Sequence, residues 1–381
     1  MILLTGVFLN LQKDKYIDSK GSFIVLNEND LTFNIIDYNE CLDSRLLNKD
    51  GKKNIFGIME YSQGRNSYRP YGIASDSNNI YIASNDIIAA YDKNTYKFNK
   101  LITSTGRVNT HQIYYYEGHL YRCDTSVNCI SKINITTLEE SVIDMVEQKT
   151  IPSLYECKHT DDKNIYHINS ICVVDKKLHI LFNRYIDLKH NKKNKVEYEH
   201  YNNIINLPNA KYNDYVSNLS KNYLNYKYSP LNSIKRKDKN YLISKHIVYD
   251  IEKSSFEGIP KTLYGIKHHS IIVVDNNIWS LCTHSGKLIR KNKTQTKIYN
   301  IQPPENYYLR GMTHKDDKLY IFAIPNENIK NYFSILNNYK ISDINSLYSC
   351  ILVIFNIKNE TIEKELELPK EIYNINDAHM L

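Results

Sequence analysis

The amino-acid sequence predicts an all-β protein, specifically a six-bladed β-propeller closed by strands from both ends of the chain. Two observations carry this prediction. A strand–turn–strand pattern recurs at least five times along the 381 residues, and further strands follow most of the copies. The five copies occupy residues 70–84, 110–123, 167–181, 269–281 and 310–322. Four strands per repeat, with little helical periodicity between them, are typical of propeller blades.

Each copy has the pattern of a β-hairpin. An apolar, β-rich segment leads into a turn that carries Asp, Asn or Gly, and the second strand has an aromatic residue or His near its start. In the fourth copy, for example, the first strand ends at Asp275 and the second contains Trp279. Third strands, most of them ending in Asp or Asn, follow at residues 87–92, 130–134, 247–250, 288–290 and 351–356. A fourth strand, such as residues 361–366, completes the blade.

The two ends of the chain predict the sixth blade. The N-terminal part offers three strands at residues 2–10, 22–26 and 31–37, and the C-terminal part offers one at residues 372–379. Joining them in one sheet removes the free strand edges that invite aggregation. A seventh blade is the alternative if residues 45–67 form further strands.

Composition and length favour a single propeller domain over residues 1–381. The chain is 42% hydrophobic and 24% charged, which are ordinary values for a protein with an apolar core. Its net charge of +7 is concentrated in residues 186–241, which contain eleven Lys and Arg against five Asp and Glu. This basic, Lys/Asn/Tyr-rich insertion in the third full blade is predicted to be a solvated loop, or a lid if residues 214–224 form a helix. Because the excess charge belongs to an insertion, nucleic acid is not an expected partner.

Several common motifs are missing from the sequence. The seven cysteines form no CxxC pair, which argues against a disulfide framework and a zinc knuckle. The first ten residues lack a basic n-region, and no apolar run has the length of a membrane span. We therefore expect a cytoplasmic protein that does not enter the membrane. The absence of GxSxG, Walker and GxGxxG patterns argues against a nucleophile elbow and a P-loop.

The repeat also selects candidate site residues, since the inner strand of every blade faces the central channel of a propeller. The residue ten positions before the aromatic or His of the second strand is, in successive copies, Tyr71, His111, Asn169, His269 and Arg310. His167 lies two residues before Asn169 and is expected on the same face of the strand. Equivalent positions of different blades converge on one end of the channel, so we expect these polar side chains to lie near one another.

The chemistry of this column predicts a metal site. His111, His167 and His269 offer the neutral nitrogen ligands that a divalent metal needs, with zinc expected first and iron or calcium as alternatives. Asn169 is predicted to assist in binding the cofactor. Arg310 could hold a carboxylate or phosphate in bidentate fashion. The other ten of the 13 histidines do not share this assignment.

Six short segments resemble the motifs of a known family. They are Arg-Pro-Tyr-Gly-Ile-Ala at 69–74, Thr-His-Gln-Ile at 110–113 with Ser-Val-Asn-Cys at 126–129, His-Ile-Asn-Ser-Ile at 167–171, Lys-His-His-Ser at 267–270, Leu-Arg-Gly-Met at 309–312 and Glu-Ile-Tyr-Asn-Ile at 371–375. In order and spacing the chain resembles the propeller proteins grouped as domain of unknown function 4915, over residues from about 69 to 377.

That resemblance implies a propeller fold and a set of functional positions. The family's recurrent positions correspond to His111, Cys129, His167, Asn169, His269, Arg310, Gly311 and Glu371. The sequence departs from the family at Gln112, where the family has an acidic residue, and at Asn374, where it has Asp. No acid–base role is therefore expected at positions 112 and 374. A second, looser likeness is to six-bladed lyases that process peptidylglycine, in which three blade histidines hold zinc.

Two functions follow as competing hypotheses. The first is a metal-dependent enzyme of lyase or hydrolase type that acts on a small-molecule or peptide substrate in the channel. His111, His167 and His269 would be the ligands, Arg310 the anion-binding group, and Tyr71 or Glu371 the acid–base group. The second is a non-catalytic propeller that binds a protein or glycan, in which the axial histidines are structural.

Overall fold

The computed structural model of the protein describes residues 1–8, 21–37, 70–84, 87–104, 110–125, 129–145, 167–183, 243–258, 260–301, 307–325 and 348–381. These residues form 25 β-strands, β1–β25, in six antiparallel sheets, and the described part contains no α-helix. The six sheets are the blades of a six-bladed β-propeller, which confirms the predicted fold. Residues 45–67, the segment considered for a seventh blade, lie outside the described ranges.

Blades 1–3 follow one another along the sequence. Blade 1 consists of β4 (Gly72–Ser75), β5 (Asn79–Ala83), β6 (Ile87–Asp92) and β7 (Phe98–Ser104). Blade 2 consists of β8 (Thr110–Tyr116), β9 (His119–Asp124), β10 (Cys129–Asn134) and β11 (Glu140–Asp144). Blade 3 has five strands, β12 (Ile168–Val174), β13 (Lys177–Phe182), β14 (Ile243–Asp250), β15 (Ser255–Phe256) and β16 (Lys261–Ile266).

The remaining blades include both ends of the chain. Blade 4 consists of β17 (His268–Val274), β18 (Asn277–Cys282), β19 (Lys287–Lys291) and β20 (Thr296–Asn300). Blade 5 consists of β21 (Tyr307–Lys315), β22 (Lys318–Pro325), β23 (Ile351–Asn356) and β24 (Thr361–Glu367). Blade 6 consists of β1 (Ile2–Phe8), β2 (Gly21–Leu26), β3 (Phe33–Asp37) and β25 (Ile372–Met380), with β25 innermost.

The basic insertion falls where the sequence places it. Strands β13 and β14 pair directly, with Lys177 opposite Asp250, although about sixty residues separate them along the chain. Residues 186–241 therefore leave and re-enter the third full blade between its second and third strands. The segment itself lies outside the described residues, so the choice between loop and lid stays a prediction.

The hairpin turns have the backbone that the sequence pattern requires. Asp275 and Asn276, between β17 and β18, both have positive φ angles, of 49° and 59°. Asp175 and Lys176 repeat this between β12 and β13, with φ angles of 49° and 60°. Two central residues with positive φ characterise the tight turn whose twist matches that of the flanking strands. Asp and Asn tolerate this conformation better than most residues, which explains their recurrence at these turns.

The backbone forms two compact units. Unit 1 comprises residues 1–120, 133–139 and 301–381, and unit 2 comprises residues 121–132 and 140–300. Unit 1 thus holds blades 1, 5 and 6 with strand β8. Unit 2 holds blades 3 and 4 with much of the outer part of blade 2.

Strand β1 of unit 1 is apolar on both faces because it packs against apolar residues on both sides. In β1, the side chains of Ile2 and Leu4 pack in a buried cluster with blade 5 residues such as Phe322. Leu3, which points to the opposite face, packs with blade 1 residues such as Ile82. Alternation with period two therefore sends both sets of side chains into apolar surroundings, which accounts for the continuous apolar runs in the sequence. Five described cysteines are buried thiols outside any described disulfide, Cys350 in unit 1 and Cys123, Cys129, Cys172 and Cys282 in unit 2.

Within unit 1, the innermost strands form a continuous series. Strand β21 contacts β25, β25 contacts β4, and β4 contacts β8. Within unit 2, the innermost strands β12 and β17 contact each other. The described part of the chain contains no helix long and apolar enough to cross a membrane.

We predict that Gly6→Ala weakens the closure of blade 6. A Cβ atom at position 6 would lie 1.8 Å from the backbone oxygen of Asn374, so β1 and β25 would have to separate. We expect the free energy of unfolding in urea to fall by about 3 kcal/mol or more, the upper part of the range for overpacking. Gly258→Ala is the control, because position 258 has a φ of 74° and open space around it. That variant should lose only about 1–2 kcal/mol from backbone strain. Equal losses in the two variants would contradict the tight β1–β25 contact.

Candidate active site

The candidate site residues lie at irregularities of the innermost strands. The β12–β13 register shifts at Asn169, and the β17–β18 register shifts between His269 and Ile271. The β21–β22 register shifts across Arg310 and Gly311, and Gly311 has a φ of 82°. A β-bulge leaves one residue unpaired and re-aims its side chain, and bulges are common beside active sites. The predicted column therefore coincides with the places where these blades depart from regular pairing.

A polar cluster occupies the inner strands of unit 1. We call it the unit 1 cluster, and it consists of Tyr71, His111, Gln112, Arg310 and Asp377. The Tyr71 and His111 rings lie on either side of the contact between blades 1 and 2, with centroids 5.7 Å apart and planes inclined by 42°. The first three residues and Arg310 are partly exposed, whereas Asp377 is buried.

The backbone holds Tyr71 in place immediately before β4. Its amide N–H donates to the carbonyl of Ala83 at 2.7 Å, and its carbonyl accepts from the Thr5 hydroxyl at 2.8 Å. The carbonyl of the preceding Pro70 accepts from the Asn376 side chain at 2.8 Å. Blade 6 thus fixes the start of β4, and with it the position of the Tyr71 ring.

Asp377 is the carboxylic acid of the unit 1 cluster, and its pKa is strongly shifted. Its Oδ1 accepts from the Ala378 amide at 3.0 Å and from the Gln112 side chain at 3.1 Å, whereas its Oδ2 accepts only a long contact of 3.4 Å from the Ile73 amide. Burial raises the pKa of the carboxyl to about 7, and these hydrogen bonds and the charge of Arg310 oppose the rise only in part. Asp377 therefore exchanges a proton near neutral pH, and Oδ2 is the oxygen with room for it.

Arg310 supplies the positive charge of the cluster. Burial lowers the pKa of its guanidinium, while the nearby Tyr71 hydroxyl and Asp377 carboxyl act in the opposite direction. Its Nε is buried and has no hydrogen-bond partner in the part of the chain that the structure describes. A buried charged donor without an acceptor is costly, so the site is complementary to a ligand that brings one. Arginine also keeps its charge when it is buried.

Unit 2 contains a different polar arrangement, which we call the unit 2 network. The Asn169 side chain donates to the carbonyl of His268 at 2.8 Å and lies 3.2 Å from the Nδ1 of His269. The Asn183 side chain lies 3.3 Å from the Nε2 of the same ring. The Ser244 hydroxyl accepts from the His268 amide at 3.1 Å and donates to the carbonyl of Asn183 at 2.7 Å. The network joins blades 3 and 4 through uncharged groups.

His167 also belongs to unit 2, just before β12. It has a φ of 46°, which is unusual for a residue other than glycine, and its carbonyl accepts from the Asn183 amide at 3.1 Å. The strand pairing that begins at Ile168 therefore depends on a left-handed residue at position 167. Its ring is partly exposed.

The three predicted metal ligands are thus found in different surroundings. His111 lies in the unit 1 cluster, while His167 and His269 belong to unit 2. Both ring nitrogens of His269 already face asparagine amides. Among the described residues, no group of three His, Cys, Asp or Glu side chains is close enough together to hold a metal ion. The geometry of the described residues therefore gives no support to the predicted zinc, iron or calcium centre, which stays a prediction.

Glu371 and Cys129 stand apart from both groups. Glu371 is partly exposed in the turn before β25, and none of the described contacts joins it to the unit 1 cluster. Cys129 is buried in β10, with its thiol 3.8 Å from the Asp124 carboxylate. That carboxylate pairs with Arg122 at 2.7 Å, and both side chains are fully buried. The Arg122–Asp124 pair lies inside blade 2 and supports its packing.

Sequence reasoning missed the most informative residue, Asp377. The register that selected the column counts back from the second strand of a hairpin, as from Tyr81 to Tyr71. In blade 6 the inner strand is β25 and the second strand is β1, so the two are at opposite ends of the chain. Asp377 could have been found from the prediction that residues 372–379 complete this blade. Side chains alternate between the two faces of a strand, so that prediction also assigns Asp377 to one face.

Comparison with known proteins places the chain by its fold alone. No protein-family model and no curated protein matches it. A solved structure titled "Crystal structure of Nidogen/Laminin Complex" is similar over 99% of this chain and 97% of that chain, with a TM-score of 0.52 and 8% identity. The structure of the WD40 domain of Pan2 from Neurospora crassa is similar over 78% of this chain and 66% of that chain, with a TM-score of 0.44 and 7% identity. A streptogramin B lyase structure is similar over 79% of this chain and 83% of that chain, with a TM-score of 0.40 and 12% identity.

We predict that Asp377 makes the stability of the protein depend on pH. Its pKa is about 7 in the folded protein and 3.8 in the unfolded chain, so the folded state holds the proton more tightly. The resulting stabilisation is complete below pH 4 and is lost as the pH rises to 7, by at most about 1.4 kcal/mol per pH unit. Asp377→Asn removes this titration. Urea unfolding at pH 5, 6, 7 and 8 should therefore show wild type losing stability relative to the variant.

The control for this experiment is Asp92→Asn. Backbone and side-chain hydrogen bonds from Thr95 lower the pKa of Asp92, so its titration falls below pH 4. The difference between wild type and this variant should stay constant from pH 5 to 8. A constant difference for Asp377→Asn as well would show that the carboxyl does not titrate in this range.

Proposed function

We propose that the protein is an enzyme of lyase or hydrolase type that acts on a small, negatively charged molecule, or on a peptide that presents a carboxylate, at the unit 1 cluster. One observation carries the proposal. A buried carboxyl with a pKa of about 7, Asp377, lies beside Arg310, whose buried Nε donor has no acceptor among the described residues. A proton-transfer group and an anion-binding group side by side are what acid–base chemistry on an anion requires.

Arg310 binds the substrate in this proposal. Its guanidinium offers several donors in one plane, which suits the two oxygens of a carboxylate or phosphate. The unpartnered Nε is the donor that a substrate oxygen would accept from. Because the surroundings are buried, this pairing is stronger than it would be in water.

Asp377 moves the proton. A group with a pKa near the working pH is populated in both forms, which makes it efficient as acid or base. Oδ1 is occupied by the donors of Ala378 and Gln112, so Oδ2 takes and returns the proton. Gln112, at which no acid–base role was expected, orients Asp377 and does not itself transfer a proton.

Tyr71 and His111 form the partly exposed side of the site. Their rings provide a surface against which a substrate can pack, and the Tyr71 hydroxyl can donate a hydrogen bond to it. His111 is the one predicted metal ligand in this cluster. Elemental analysis of the purified protein tests the separate prediction of bound zinc, iron or calcium.

The experiment begins with a defined mixture of small carboxylic acids, organic phosphates and short peptides, incubated with the protein and followed by mass spectrometry. We expect at least one anionic compound to be consumed. Asp377→Asn should slow its consumption about 10²–10⁴-fold, the usual contribution of a general acid or base. Arg310→Gln should slow it about 10²–10³-fold, as for loss of a donor that stabilises developing charge. The rate of wild type should change with an apparent pKa near 7.

Glu371→Gln is the matched variant, since it removes a carboxylate close to β25 without touching the cluster. It should leave the rate unchanged. Consumption that depends on Glu371 and not on Asp377 would move the acid–base role to the residue predicted from the sequence. No consumption of any compound, or equal rates in all variants, would refute an enzymatic role for the cluster.

A non-catalytic propeller that binds a protein or glycan is the second candidate. The observation that favours it is the unit 2 network, in which His268 and His269 are hydrogen-bonded as structural groups. Under this alternative, Asn169→Ala should lower the melting temperature without affecting any turnover, and substitutions in the unit 1 cluster should change stability only.

A further inference from the structure

Ser75 and His379 form a pair separate from the groups used above. Ser75 ends β4, and His379 lies near the end of β25, the neighbouring inner strand. The Ser75 Oγ and the His379 Nε2 are 2.9 Å apart, and both residues are partly exposed. We propose that Ser75 and His379 are a nucleophile and its base, and that together they hydrolyse activated esters through an acyl-serine intermediate.

A second serine–histidine contact in the same protein shows what distinguishes this pair. Ser280 Oγ lies 2.9 Å from His268 Nδ1, the same distance. Both of those residues are fully buried, with 0% exposure, and His268 belongs to the unit 2 network. A hydroxyl–imidazole bond in this fold can therefore be purely structural. Of these two pairs, the Ser75 pair is the one whose residues are partly exposed.

The reaction is balanced with the residues present. The Ser75 Oγ attacks the carbonyl carbon of the ester, and its proton passes to His379 Nε2. The carbon–oxygen bond to the leaving group then breaks, and the leaving group departs with the electron pair and takes up the proton. Water attacks the acyl-serine with His379 again as base, and releases the acid and the serine. The sum is ester plus water to acid plus alcohol.

Electrostatics restrict the substrate to esters with good leaving groups. Burial, with a smaller contribution from the charge of Lys93, lowers the pKa of His379 to about 4. The ring is therefore neutral at pH 7 and free to accept a proton, but it is a weak base. Lys93, whose Nζ donates to the carbonyl of Asp76 at 3.3 Å, can stabilise negative charge on the ester oxygen.

The charged groups around the ring determine its pH behaviour. Lys93 approaches from the β6–β7 turn, Asp76 follows Ser75, and Asp377 lies two residues before His379 on the same strand. Lys93 is the one whose charge acts on the His379 pKa. Hydrolysis should therefore persist to low pH, with its acidic limb near 4. An ordinary exposed histidine would give a limb near 6.5.

The test uses the full chain and two probes, an alkyl fluorophosphonate and p-nitrophenyl acetate. The serine hydroxyl displaces fluoride from the fluorophosphonate, and peptide mapping then locates the labelled serine. We expect label on Ser75 and none on Ser280. Ser75→Ala should abolish labelling and lower ester hydrolysis at least 100-fold, to the level of the uncatalysed reaction. Ser280→Ala should match wild type.

Two further variants separate this pair from a structural contact. His379→Gln should slow labelling of Ser75 at least 10-fold. Lys93→Met should move the acidic limb of ester hydrolysis upward from about 4, because a repulsive charge is removed, while burial keeps it below 6.5. If His379→Gln does not fold, the map of labelled serines and the Lys93→Met shift still decide the outcome.

Unlabelled Ser75, labelling that ignores His379, or an acidic limb near 6.5 would each overturn the proposal. Failure of the unit 1 cluster as an acid–base site and failure of the Ser75 pair are distinguishable, since each has its own variant and its own readout.

Discussion

The pairing of β25 with β1 is the interaction on which most of the described chemistry depends. It runs from Ile2 opposite Met380 to Phe8 opposite Ile372 and makes a C-terminal strand the innermost strand of blade 6. Because β25 then contacts both β21 and β4, it brings Asp377 beside Arg310 and His379 beside Ser75. Without this pairing the same residues would belong to an unpaired segment at the end of the chain.

The buried charges of unit 1 are retained at a cost in stability. A carboxyl whose pKa is raised to about 7 is one that burial has destabilised in its ionised form, and Arg310 with an unsatisfied donor adds a second cost. The unit 2 network joins its blades with uncharged amides, imidazoles and hydroxyls, although the buried Oδ1 of Asn169 also has no donor among the described residues. The two arrangements differ in that the buried groups of unit 1 are charged. Proteins tend to retain such costly groups where function requires them.

The sequence predicted the architecture well because each repeat can be recognised from residues that are close together along the chain. Turn residues such as Asp275 and apolar strands such as those around Leu3 report the fold without long-range information. The same patterns placed Tyr71, His111 and Arg310 on inner strands, and the structure brings these three into one cluster. A metal site is harder to predict than a strand, because the side chains of the ligands must point to one common position. Bulges at Asn169 and between His269 and Ile271 change those directions in ways that the spacing of residues does not record.

The residues that escaped prediction share one property, which is distance along the chain. Ser75 and His379 are 304 positions apart, as are Ile73 and Asp377. Neither pair forms a motif, so a search for a nucleophile elbow or an acid–base pair at fixed spacing passes over both. The two residues of each pair meet because β25 is the innermost strand of blade 6 and contacts β4. Predicting that strand order shows which strands are neighbours, but not which side chains form hydrogen bonds.

This arrangement has a consequence for how the protein is made. Strand β1 is synthesised before its inner partner β25, and more than 360 residues separate the two strands along the chain. At roughly 5–20 residues per second, β1 waits on the order of tens of seconds for β25. During that interval the apolar residues Ile2, Leu3 and Leu4 lie on an open strand edge, the kind of surface that pairs with other chains. Nascent chains of this protein should therefore depend on chaperones that bind β1 until β25 has been synthesised.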